Sequence, residues 1–142
     1  MSTFKTSRTF AALPEAVFAA FAAPERLAKW WGPDGFRNTF ETFEFKTGGL
    51  WRFIMHGPDG VNYPNESCFV SVEPARKIVV KHLSQPHFEL TIELESTAAG
   101  TLVTWDQAFE SPEVAASVKH IVEPANEQNL NRWQAEVGVG RA

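Results

Sequence analysis

Four histidines, one cysteine and a scatter of carboxylates are the residues whose types could support acid–base, nucleophilic or metal chemistry, and their spacing argues against most of it. His82 and His87 flank a turn at Ser84-Gln85-Pro86, but the pairing offset across that turn leaves their mutual geometry open, and His56 and His120 stand apart from both. The chain contains no His-Glu-x-x-His, Cys-x-x-Cys or glycine-rich phosphate-binding pattern, and Gly48-Gly49 reads as a turn. Glu41 and Glu44 fall on opposite strand parities, while Glu89, Glu93 and Glu95 alternate with apolar residues and mark a solvent face. Glu66, on the approach to an apolar strand, would become a candidate base if buried; exposure is the competing reading. Cys68, inside Cys68-Phe69-Val70, has neither a basic neighbour nor a helix terminus to activate it and reads as a small hydrophobe. No catalytic residue, metal ligand or cofactor is assigned.

Aromatic residues interleaved with a few polar ones carry more information. Trp30 and Trp31 are adjacent on one short element, so they cannot both face a single core; Trp30 reads as a helix anchor and Trp31 as core or pocket rim. Phe43, Phe45, Trp51, Phe53 and Met55 share a strand parity. Phe88, Leu90, Ile92 and Leu94 do the same, and Val103, Trp105, Gln107 and Phe109 continue the face. Such rings either fill a core or line a hollow. An inward Gln107, His82 or Asn126 needs a hydrogen-bond partner, which protein, water or a ligand can supply.

The elements that would position these residues are set by turns. Lys5 to Phe10 forms a first strand, Leu13-Pro14-Glu15 opens a helix with Val17, Phe18 and Phe21 on its apolar face, and Pro24 opens a second that stops before Gly32-Pro33. From Phe40 the period falls to two, with reversals at Thr47-Gly48-Gly49 and at His56-Gly57-Pro58-Asp59-Gly60. Further strands are expected at about 65–72, 76–83, 87–95 and 101–109, separated by short antiparallel connections. Glu113 to Val137 is a helical region interrupted at Pro124, with Asn126, Leu130, Trp133 and Val137 on one face.

A length of 142 residues suits one domain, 1–142, with a sizeable core. Its formal charge of −4 is interspersed, which gives nucleic acid or an anionic membrane no basic stripe to bind. A single cysteine cannot form an internal disulfide, and no basic leader or eighteen-residue apolar run occurs, so a cytoplasmic location is expected.

A meander of six or seven strands, preceded by two small helices and followed by a long one, packs economically when the sheet curls around the last helix. This α+β helix-grip arrangement is similar to the START-like (SRPBCC, Bet v 1-like) superfamily, and within it to the branch named after the C-terminal domain of the activator of Hsp90 ATPase, also called polyketide cyclase-like. The resemblance rests on Pro14-Glu15-Ala16-Val17-Phe18, Pro24-Glu25-Arg26-Leu27-Ala28-Lys29-Trp30-Trp31-Gly32-Pro33, Thr47-Gly48-Gly49-Leu50-Trp51-Arg52-Phe53, Gly57-Pro58-Asp59-Gly60, Val72-Glu73-Pro74-Ala75-Arg76 and Gly100-Thr101. It implies one scaffold that serves hydrophobic-ligand carriers, cyclases, self-sacrifice resistance proteins or chaperone regulators. The leading expectation is a domain that binds an unidentified small apolar molecule, with no reaction assigned. Its site would draw on Trp31, Phe43, Phe45, Trp51, Phe53, Met55, His82, Trp105, Gln107, Asn126, Leu130 and Trp133, entered near Trp31 or the Gly57–Gly60 turn. The alternatives are a module for a protein partner, related to Hsp90 or otherwise, and a cyclase or aromatase acting on a flexible apolar substrate. A monomer or weak homodimer is expected.

Overall fold

In the computed structural model, which describes residues 2–139, the chain builds a seven-stranded antiparallel sheet with three helices. Strand β1 (Thr3–Phe10) lies at one edge and β2 (Arg37–Phe43) at the other. A meander then runs back through β3 (Leu50–His56), β4 (Asn62–Glu73), β5 (Lys77–His82), β6 (Phe88–Thr97) and β7 (Gly100–Phe109), which closes on β1. Each step is a short reversal, so neighbours in sequence are neighbours in the sheet. The helix-grip fold is completed by α1 (Pro14–Ala22) and α2 (Pro24–Trp30), which carry the chain from one sheet edge to the other, and by the long α3 (Pro112–Val139).

Proline starts both short helices. Pro14 and Pro24 occupy first-turn positions, where a missing N–H costs nothing, and no side chain caps either end. Ala23 serves two helices at once: its N–H closes α1 on the Ala19 carbonyl, and its own carbonyl accepts the first bond of α2 from Leu27 N–H at 2.9 Å. At the end of α2 the chain turns through Gly32 at φ +98°, where a Cβ would stand 2.7 Å from the Met55 methyl. Gly49 allows a tighter approach still, since a Cβ there would lie 1.8 Å from the Glu44 carbonyl oxygen.

Aromatic rings fill one end of the space between sheet and helices. Trp30 and Trp133 stack face to face with centroids 4.8 Å apart, and both indole N–H groups donate to α1 carbonyls, Trp30 to Ala20 at 2.9 Å and Trp133 to Val17 at 3.1 Å. Phe21 of α1 packs edge-on against Trp30, Trp51, Phe69 and Trp133, joining helices to sheet.

Two expectations from the sequence change. Helix α3 continues through Pro124 instead of breaking there. Pro124 is exposed, as is His120 one turn before it, so the carbonyl that loses its helical partner remains open to water. Strand β4 starts at Asn62, ahead of Pro64, although proline argues against a strand interior. There β4 pairs with β3 alone, because pairing with β5 begins only at Ser67, and an unpaired edge tolerates a residue without an N–H.

Removing the stacked indole should be costly. Trp133→Ala is expected to lower unfolding stability by about 3–5 kcal/mol, measured by urea denaturation, with Trp133→Phe losing clearly less because it keeps most of the ring volume.

Candidate functional site

At the other end, the sheet and α3 stand apart around a hollow of about 530 Å3. Its buried wall is built by Phe53 of β3, Val80 and His82 of β5, Leu90 of β6, and Trp105 and Gln107 of β7. Trp31 closes one side, and Asn126 and Asn129 face it from α3. The exposed members of the lining are Asn62, Tyr63 and Pro64 of β4, Gln85 of the turn after β5, and Ile121 of α3. Trp31 is a wall residue at 9% exposure, and the Gly57–Gly60 turn does not line the hollow.

Of the twelve residues expected at a site, seven line this hollow: Trp31, Phe53, Met55, His82, Trp105, Gln107 and Asn126. The other five do not. Trp51 stacks on Phe53 and Phe69; Phe43 and Phe45 stack on each other and meet Phe69 edge-on; Leu130 and Trp133 are fully buried among the helices. Alternation correctly placed the three strand and hairpin rings on the inner face, but it cannot tell which end of that face the short helices cover, and Phe21 of α1 packs on Trp51 and Phe45. Asn129 went unassigned although its spacing from Asn126 puts both on one helical face. Tyr63 fell outside the strand expected at about 65–72, while Asn65 and Ser67 lay within it as small polar residues that no pattern marked.

His82 is buried, stacked on Phe88 at 4.6 Å, and engaged at both nitrogens. Nδ1 donates to the Pro86 carbonyl at 2.8 Å; Nε2 lies 2.7 Å from the Asn65 amide oxygen and 3.3 Å from the Ser84 hydroxyl. Burial disfavours the imidazolium and is the largest influence; the bond to Pro86 opposes it and nearby His87 adds to it, so the pKa falls below the usual imidazole value. Glu66 points elsewhere: its side chain is 44% exposed and lies 3.8 Å from Arg52.

Helix α3 also holds the segment that follows α2. Asn129 Oδ1 accepts the Gly32 N–H at 2.8 Å, and Gln128 Oε1 accepts that of Asp34 at 3.0 Å. Arg132 donates to the carbonyls of Gly32 at 2.8 Å, Pro33 at 2.7 Å and Phe36 at 2.9 Å, and also to Lys29. One guanidinium thus satisfies carbonyls left open where the helix ends. Burial pulls its pKa down against the pull of Asp34, and it remains charged. The wall residue Trp31 and the lining residues Gly32, Pro33 and Phe36 are fixed by this clamp.

Residues 11–137 match the model of a family described as activator of Hsp90 ATPase homolog 1-like protein. The chain belongs to this family. Among solved structures similar to this member, a protein of Nitrosomonas europaea superposes with a TM-score of 0.90 at 19% identity, over 98% of this chain and 96% of that one. One from Arthrobacter aurescens gives 0.88 at 25% identity, over 96% and 86%, and an AHSA1 protein from Silicibacter pomeroyi gives 0.78 at 22%, over 97% and 99%. Comparison with curated protein sequences returned no match. Among the described residues no helix is long and apolar enough to cross a membrane.

Two measurements check this geometry. Because the folded pKa of His82 is depressed below the unfolded value of about 6.5, stability should be full above that pH and fall as the pH drops from there through the folded pKa. Urea midpoints measured between pH 8 and 5 should decline in this window, and an NMR titration should place the His82 midpoint below the usual value. Arg132→Met should cost about 2–3 kcal/mol through several lost charge-assisted bonds, and amide exchange at Gly32 should accelerate.

Proposed function

We propose that the hollow is a binding cavity for an elongated, mainly apolar small molecule, and that this member of the family is a ligand-binding domain. The observation that carries the reading is the hollow itself: about 530 Å3, walled by rings and aliphatic side chains from several strands and α3, with the opposite end of the same interior tightly filled. That volume falls within the range of small-molecule sites, and fixed aromatic walls let a ligand bind without reordering the protein.

Two features argue against the cyclase alternative. Both ring nitrogens of His82 are engaged within the protein, and Glu66 lies outside the hollow, so neither is placed to move a substrate proton. The family description supplies a second reading, an Hsp90-related partner, which stimulation of Hsp90 ATPase by the purified protein would support. A cytoplasmic location and a monomer or weak homodimer go with the ligand-binding proposal.

Binding of the neutral dye Nile red, read by its emission, tests the cavity. Saturable binding is expected. Ala125→Phe, which fills the hollow from α3, should weaken it at least about tenfold, a scale set by the loss of a bound ring's apolar burial. Unsaturable or unchanged binding in both proteins would defeat the proposal.

A further inference from the structure

The polar atoms of the hollow set what it can accept. Its lining contains no Asp, Glu, Lys or Arg. His82, the sole imidazole there, spends both nitrogens on protein atoms. Arg132, which holds the segment beside the hollow, is committed to backbone carbonyls of the 29–36 segment. An ionised ligand would therefore lose its hydration without meeting a counter-charge.

Yet the wall is not uniformly apolar. Gln107 is 8% exposed and Trp105 2%, both on the inner face of β7, and the Gln107 Oε1 and Trp105 Nε1 atoms are buried with no hydrogen-bond partner among the described residues. No hydrogen bond within those residues engages the other end of the Gln107 amide or the amide of Asn126, which faces it from α3. Buried polar groups are rarely left unpaired, because each carries the desolvation penalty without return. Trp51 Nε1 is also unpaired, but it lies off the hollow, in the ring cluster. On the hollow wall, the Gln107 oxygen and the Trp105 indole nitrogen are covered as well as unpaired, whereas the amide nitrogen of Gln107 and the amide of Asn126 are the neutral polar groups an occupant can meet.

Resting on the cavity reading above, we propose that the ligand is an uncharged molecule whose carboxamide or hydroxyl-bearing carbonyl group pairs with the amides of Gln107 and Asn126 while its apolar body fills the hollow toward Tyr63 and Ile121. A carboxylate of the same skeleton is excluded. So is any requirement for a metal or basic side chain to hold the head group, since neutral donors and acceptors satisfy it directly.

A matched set of 2-naphthamide, 2-naphthoate and 2-methylnaphthalene, measured by calorimetry at pH 7.5 on the full chain, tests this. The amide should bind at least about tenfold more tightly than the carboxylate, the scale expected when a site built to hydrogen-bond a neutral group meets an unpaired charge. Gln107→Leu should remove most of the amide's advantage over 2-methylnaphthalene and raise the thermal midpoint of the free protein by relieving an unpaired amide. Asn126→Leu should weaken the amide in the same way. If the protein holds Nile red but takes naphthoate as tightly as naphthamide, or fails to take naphthamide, the uncharged-ligand inference falls while the cavity stands. An amide preference untouched by both variants overturns the assignment to Gln107 and Asn126. Failure of Nile red and all three compounds to bind overturns the cavity reading and this inference with it.

Discussion

The stack of Trp133 on Trp30 sets the position of α3, and the hollow depends on that position. Both indoles also donate to carbonyls of α1, so three helices are joined at one point by ring contact and by satisfied buried donors. A directional bond at the end of a large apolar ring fixes depth and rotation together, which apolar contact alone does less well. With the C-terminal half of α3 seated there, Asn129 and Arg132 reach the segment after α2, while the stretch from Ile121 to Asn126 stands across from the open part of the sheet.

The interior is thus divided by the placement of α1 and α2. Where Phe21 enters, it meets rings from β3, β4 and α3 edge-on, and these side chains occupy the space. Beyond Trp31 no helix side chain of comparable size enters. Asn126, Asn129 and Ala125 are shorter than the gap they face, and the hollow remains. Its walls are held on one side by sheet pairing and on the other by the Arg132 clamp, so its shape is largely preformed.

The clamp also explains how a short helix can end inside the structure. Gly32 takes a positive φ where any Cβ would crowd Met55 and Phe36, and the carbonyls that this turn leaves open are collected by one guanidinium. Lysine could not replace it, since a single ammonium cannot span carbonyls from Lys29 to Phe36.

Strand alternation, proline-started helices and short reversals are local properties. They were enough to determine the antiparallel meander, the two small helices, the long terminal one and the inward parity of Phe53, Trp105 and Gln107. The run through Pro124 and the early start of β4 were not legible, because whether a missing N–H matters depends on what stands opposite it. The same holds for the site. Trp51 and Phe53 are two residues apart with one parity, yet only Phe53 lines the hollow, since Phe21 covers the other from a helix thirty residues earlier in the chain. Which inward residues become core and which become wall is decided by packing between distant segments, and periodicity along a single strand carries no record of it.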